Sequence, residues 1–173
     1  MKVLIASDSH GLTHELTNLV ERYRDDVQLF IHCGDSELPG SSEEMTSFHA
    51  VKGNCDSPSS GYPDDLIKTV GGFKLFVTHG HLYNIKMSPV NLLYKAEETG
   101  ADIVCFGHTH HAVTFQEGKK IFINPGSLRL PRGMNEKTYV ICEINNDKKE
   151  VNVNYFNQNG EPVESLSKKY VLA

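Results

Sequence analysis

Five apolar runs in this chain each stop at side chains able to bind a metal ion. No other feature constrains the fold as tightly. VLIAS precedes Asp8 and His10, LFIHCG precedes Asp35, AVKG precedes Asn54, LFVT precedes His79, and IVCFG precedes His108 and His110. Runs this continuous are too apolar for a strand with one wet face. They read as buried parallel strands covered on both sides. In parallel α/β sheets the site lies beyond the carboxyl ends of the strands, so residues distant in sequence are gathered on one edge. Asp8/His10 and His108/His110 are each two positions apart, and residues i and i+2 of extended backbone point the same way. Gly34, Gly53, Gly80 and Gly107 sit beside these residues, where sharp turns and close backbone approach are needed.

The rest of the chain predicts strands alternating with helices, then mainly strands. A helix is expected over residues 14–26, HELTNLVERYRDD, with Leu16, Leu19 and Val20 at helical spacing after Thr13. SSEEMTSF predicts a short helix and FHAVKG a third strand. LIKTV and FKLFVTHG flank Gly71–Gly72 as a hairpin. PVNLLYKAEETGA predicts a helix opened by Pro89 and stopped at Gly100. AVTFQ, KIFINPGS, TYVICEI and EVNVNYF then alternate as strands. With no repeat, low-complexity segment or linker, residues 1–173 read as a single α/β domain of two packed sheets with helices outside.

Charge and hydropathy exclude several classes. A net charge of −5 offers no broad basic surface, so nucleic acid is not indicated as a partner. No run is long enough to span a membrane. MKVLIASDSHG is too short and polar for a signal peptide. Cys33, Cys55, Cys105 and Cys142 form no CxxC pair and read as reduced thiols, so a cytoplasmic protein is expected.

The strand-end residues supply two carboxylates, one amide and four histidines, too many for one tetrahedral zinc. They suit two ions sharing a carboxylate, with Asp35 as the obvious bridge. Mixed nitrogen and oxygen donors favour manganese, nickel, iron, cobalt or zinc over calcium or magnesium, and manganese is the first choice. Two divalent ions would exceed the charge of Asp8 and Asp35 and attract an anionic substrate. Ions ~3.5–4 Å apart can clamp a phosphoryl group during in-line displacement.

The motifs DSH at 8–10, GD at 34–35, GNCD at 53–56, HGH at 79–81 and GHTH at 107–110 resemble, in order and approximate spacing, those of the calcineurin-like metallophosphoesterases. The resemblance covers nearly the whole chain. Small size, the cysteine of GNCD and INPGS at 123–127 are similar to a compact prokaryotic phosphodiesterase branch, itself similar to the metallophosphoesterase-like subunit of eukaryotic retromer. The resemblance implies a four-layer αββα sandwich and a dinuclear phosphodiesterase acting on a small phosphodiester through a metal-bridging hydroxide. It implies that Asp8, His10, Asp35 and His110 hold one ion, and that Asp35, Asn54, His79 and His108 hold the other. A phosphomonoesterase on the same centre, or a non-catalytic interaction scaffold with a vestigial metal site, are the alternative readings. A homo-oligomer is left open.

Many relatives carry histidine where this chain has Cys55, and a neutral thiol is a weak donor that cannot replace it equivalently. Asn54, Asp56 and His81 are the further catalytic candidates. Asp56 could instead orient a neighbour or cap a loop. His81 could touch substrate, support a ligand or face solvent. Asn124 and Ser127 read as groups that orient ligands or contact phosphate, or else as parts of a turn. Arg129 and Arg132 read as solvated loop residues, His32 as a satisfied core or supporting histidine, His14 and His49 as structural or exposed, and His111 as incidental.

Overall fold

The structure, a computed structural model, describes residues 1–172. Strands β1 (Lys2–Ala6), β2 (Leu29–His32) and β3 (Phe48–Ala50) run parallel, with helix α1 (His14–Tyr23) between the first two. Strands β4 (Asp65–Val70) and β5 (Phe73–Thr78) form the hairpin at Gly71–Gly72, and helix α2 (Val90–Thr99) leads to β6 (Ile103–Cys105). The remaining strands are β7 (Ala112–Glu117), β8 (Lys120–Pro125), β9 (Thr138–Asn145), β10 (Glu150–Asn157) and β11 (Lys168–Val171). One six-stranded sheet has the order β11-β10-β9-β1-β2-β3, and a five-stranded sheet has the order β4-β5-β6-β8-β7. Both are mixed: β5, β6 and β8 are parallel, while β4 and β7 flank them antiparallel.

The continuous apolar runs follow from this layering. Alternate residues of each central strand face opposite sides, and both sides are covered. Val3 and Ile5 of β1, Leu75 and Val77 of β5, and Ile103 and Cys105 of β6 meet in the core between the sheets. The intervening Leu4 and Ala6 pack outward under Leu16 and Leu19 of α1. Phe76, Val104 and Phe122 pack outward under Leu92 and Ala96 of α2. Helix, sheet, sheet and helix are therefore the four expected layers. Cys33, Cys105 and Cys142 are buried in the inter-sheet core and all four cysteines are free thiols.

Three local expectations need correction. Helix α1 ends at Tyr23, three residues short of the predicted end, because the Tyr23 carbonyl accepts from Asp26 and Val27 N–H and closes a turn. The helix expected in SSEEMTSF is a single 3-10 turn at Glu43–Met45 in which only Met45 is buried. One buried side chain is too little to offset helix nucleation. β11 was not foreseen, since KKYV buries only Tyr170 and lacks an apolar repeat. Among the described residues, no helix is long and apolar enough to cross a membrane.

Polar ties join the sheets beside the strand ends. Tyr155 on β10 is fully buried and donates its hydroxyl to the Asn124 carbonyl on β8 at 2.8 Å. Tyr155→Phe strands that buried carbonyl and should destabilise the fold by about 1–3 kcal/mol. Urea denaturation measures it. An unchanged midpoint would show that the carbonyl has another partner.

Candidate metal centre

The loops after β1, β2 and β6 carry an unusual backbone. Asp8, His10, Asp35, His108 and His110 all have positive φ, between 44° and 68°. Non-glycine residues adopt this region rarely, and each instance must be held by its surroundings. The holding network is specific. Asp8, His10 and Gly11 N–H donate to the carbonyls of Gly34, Asp35 and Ser36 at 2.8–3.0 Å, which zips the first loop to the second. His32 is wholly buried, and its Nδ1 accepts from Gly34 N–H at 3.2 Å, so its Nε2–H donates to Ser9 Oγ at 2.9 Å. Burial pushes the His32 imidazole down to about 4, which keeps it neutral.

Asp56 and Asn124 clamp the other loops. One Asp56 oxygen accepts from Asp35 N–H at 2.8 Å and Gly53 N–H at 2.7 Å, and the other accepts from Glu37 N–H at 2.7 Å. The Asn124 amide, wholly buried, donates to the Gly107 carbonyl at 3.1 Å and to Thr109 Oγ1 at 2.9 Å, while its oxygen accepts from Gly126 N–H. Ser127 Oγ donates to the Asp8 carbonyl at 2.8 Å. Asn124 and Ser127 thus hold the loops that carry His108 and Asp8, the orienting role among those open for them. Gly53 and Gly107 must be glycine for space: a Cβ on Gly53 would overlap the Asp35 carboxylate, and one on Gly107 would overlap Ser7 Oγ.

On this frame the strand-end side chains converge in two groups. Donor atoms of Asp8, His10 and His110 lie within 4.8 Å of one another, as do those of Asp35, His79 and His108. Asp35 also lies within that distance of His10 and Cys55, which places it against both groups. Asn54 Oδ1 is 3.1 Å from His79 Nε2.

The tautomers decide what the groups can do. His79 Nδ1 is 2.7 Å from the Cys33 carbonyl and His110 Nδ1 is 2.7 Å from the Leu130 carbonyl. A carbonyl only accepts, so both Nδ1 atoms carry a proton, and in the neutral rings both Nε2 atoms present lone pairs. His10 Nδ1 likewise faces a carboxylate oxygen of Glu37 at 2.6 Å. In the first group, His10 and His110 Nε2 are then bare and 3.2 Å apart. Asp8 Oδ1 stands 3.1 Å from His110 Nε2, is buried, and accepts no hydrogen bond. In the second group, bare His79 Nε2 faces Asp35 Oδ2 at 3.2 Å and Asn54 Oδ1 at 3.1 Å. In the neutral rings these converging lone pairs repel unless a proton or a metal cation stands among them. The donor sets therefore fit divalent ions: nitrogen and carboxylate oxygen, as transition metals take them.

Titration follows the same geometry. Burial opposes ionisation of Asp35, but His79, when its Nε2 also carries a proton, acts through hydrogen bond and charge, and with the Cys55 N–H at 2.8 Å it holds the carboxyl below the usual carboxylate range. Burial likewise opposes ionisation of Asp8, and the facing His110 and His79 still lower it. A second proton on His110, at Nε2, would bond Asp8, and this raises His110. His79 is raised by Asp35 and Asp8 against its own burial. Protons and cations compete for these lone pairs.

The remaining predicted residues fall into place around the groups. Cys55 is exposed, and burial of its thiol with the nearby Asp35 pushes it up to about 11, so it is neutral at pH 7. The His81 ring is 5.2 Å from that of His79 and 6.0 Å from that of His108, and burial followed by the His79 charge lowers its pKa. Arg129 donates to the His10 carbonyl, and Arg132 N–H donates to the His110 carbonyl at 3.0 Å. His14, His49 and His111 are exposed and stand in neither group. Glu37 was passed over in the motif reading. Its signal was faint: a carboxylate two residues after Asp35 in a polar loop.

Comparison with known proteins agrees with this arrangement. The family model described as Calcineurin-like phosphoesterase superfamily domain matches residues 1–147. The probable metallophosphoesterase YsnB of Bacillus subtilis is 44% identical over 172 residues, covering 99% of this chain and 100% of that protein. The phosphodiesterase YfcE of Escherichia coli K12 is 29% identical, covering 80% of this chain and 85% of that protein. A predicted phosphoesterase from Streptococcus pneumoniae superposes with a TM-score of 0.92 at 36% identity, covering 98% and 96% of the two chains. Vps29 of Entamoeba histolytica, solved as a complex with zinc, shares the fold at a TM-score of 0.75 and 22% identity, covering 98% and 97%. With the family matched over most of its length and metal-ligand types gathered where the strands end, this chain belongs to the calcineurin-like phosphoesterase superfamily, the metallophosphoesterases.

Proposed function

We propose that this protein is a phosphodiesterase that works with two divalent transition-metal ions, manganese first among them, on a small phosphodiester. The observation that carries this reading is the pair of donor clusters, each closed by a buried carboxylate, in which imidazole nitrogens and carboxylate oxygens converge. When bound, the two ions would supply a hydroxide nucleophile at neutral pH and Lewis-acid stabilisation of the charge growing on phosphorus. Asp8, His10, Asp35 and His110 would hold one ion. Asp35, Asn54, His79 and His108 would hold the other.

The chain's own groups do the positioning. Hydrogen bonds from Nδ1 to the Cys33 and Leu130 carbonyls aim His79 and His110. Asp56 fixes the Asp35 and Asn54 loops through backbone N–H groups, so it acts by position rather than by touching substrate. His81, whose lowered pKa favours the neutral ring, stands beside both His79 and His108 and would offer a ring N–H to the phosphate. The name of YfcE supports diester specificity, and four free thiols suit a reducing, cytoplasmic setting.

Hydrolysis of an activated aryl phosphodiester should require an added transition metal. The check is turnover by metal-stripped protein with and without manganese and nickel. Full turnover without metal would sink the mechanism. No turnover with any divalent metal or diester would favour an interaction scaffold, a reading supported by the fold shared with Vps29. Rapid hydrolysis of monoesters alone would favour a phosphomonoesterase.

Asp35 reaches both groups, so Asp35→Asn should reduce kcat far more than His81→Ala. Losing the shared charge also raises the repulsion between the cations. Near-wild-type kcat with two bound ions in Asp35→Asn would show that another residue bridges.

Cys55 is a neutral thiol and a poor acid. General acid catalysis is typically worth roughly 10²–10⁴-fold, so its absence should appear as a steep dependence of kcat/KM on leaving-group pKa. Cys55→Ala should be mild, because it is the Cys55 main-chain N–H that holds Asp35. A flat leaving-group series in the wild type would assign the proton to another group, with His81 the nearest candidate. Collapse of activity in Cys55→Ala with both ions retained would give the thiol a direct role.

A further inference from the structure

His10 is supported differently from the other histidines of its kind. His79 and His110 donate Nδ1–H to main-chain carbonyls, of Cys33 and Leu130. The acceptor for His10 is a side chain, a Glu37 carboxylate oxygen at 2.6 Å. That contact is built. Glu37 has a φ of 56°, in the left-handed region. A loop would not keep a glutamate there without a fixed main chain. Its N–H is held by the buried Asp56 carboxylate at 2.7 Å, and the neighbouring Ser36 Oγ reaches the same oxygen at 3.3 Å. The Asp56 side chain that aligns Asp35 therefore also aims Glu37 at His10.

We infer that Glu37 is a positioning residue for metal binding: it fixes His10 as the Nδ1–H tautomer and turns Nε2 toward the ion shared with Asp8 and His110. This rests on the two-metal reading above. The chemistry is general. A carboxylate behind a ligand histidine sets the tautomer, holds the ring and makes the ligand nitrogen a stronger donor. A charged acceptor does this more strongly than the carbonyls behind His79 and His110. The first group lies nearer solvent than the second: the His10 and His110 side chains are 12% and 11% exposed while His79 is fully buried.

The test uses Glu37→Gly and Glu37→Gln in the full chain. Glycine accepts a φ of 56° without strain, so Glu37→Gly should keep or raise the melting temperature. A merely structural role for Glu37 predicts the opposite. Metal-stripped protein is titrated with manganese chloride by calorimetry, and the His10 tautomer is read from ring nitrogen shifts in metal-free protein. The wild type should bind two ions and hold His10 as Nδ1–H. Glu37→Gly should weaken one ion by roughly 10–100-fold, leave the other unchanged, and mix the tautomers. Glu37→Gln, which keeps a neutral acceptor, should lose less. Wild-type affinity for both ions in Glu37→Gly, or an unchanged His10 tautomer, overturns the inference alone. Equal loss in Gln and Gly overturns it in favour of direct ligation by Glu37. A wild type that binds no manganese brings down the two-metal reading and this inference together.

Discussion

The structure turns on lone pairs held face to face. Three imidazoles are committed by hydrogen bonds behind them, to Cys33, Leu130 and Glu37, so their Nε2 atoms cannot turn away. Opposite them stand Asp8, which is wholly buried, and Asp35, which is nearly so. Asp8 Oδ1 has no hydrogen-bond partner, and burying it so is costly unless a proton or a cation stands beside it. Affinity for metal would offset part of that cost. An ion that binds the folded state alone adds to its stability.

That arrangement needs a rigid support, and the two sheets supply it. Parallel strands β1, β2 and β3 in one sheet and β5, β6 and β8 in the other end on the same side of a core between the sheets. The loops leaving them adopt left-handed backbone at five candidate ligand positions. Each such position costs of order 1–3 kcal/mol, which only a saturated hydrogen-bond network can hold. Asp56, Asn124, Ser127 and His32 form that network from buried positions. Polar groups this deep ordinarily destabilise a core. Here their partners are the main-chain atoms that would otherwise be unsatisfied in the ligand loops.

Much of this was legible in the sequence because its physical cause is local. A strand buried on both faces must be apolar at every position, so its end is visible where the first polar residue appears. That located Asp8, Asp35, His79 and His108 without the structure. The roles of Asp56 and Asn124 were visible only as alternatives, because a carboxylate or amide in a loop can face a substrate or a backbone equally well. Glu37 was not legible: its contact with His10 spans 27 residues and depends on a left-handed turn that sequence periodicity does not encode. The helix read in SSEEMTSF failed because good helix formers without a buried face make only a turn. β11 escaped because its pairing with β10, rather than its own side chains, makes it a strand.

The central claim is that two cations complete these clusters. Anomalous diffraction at the manganese edge, from crystals of metal-stripped protein soaked in manganese chloride, tests it most directly. The account predicts two peaks, one among Asp8, His10 and His110 and one among Asp35, His79 and His108. A single peak, or peaks elsewhere with both clusters empty, would contradict it.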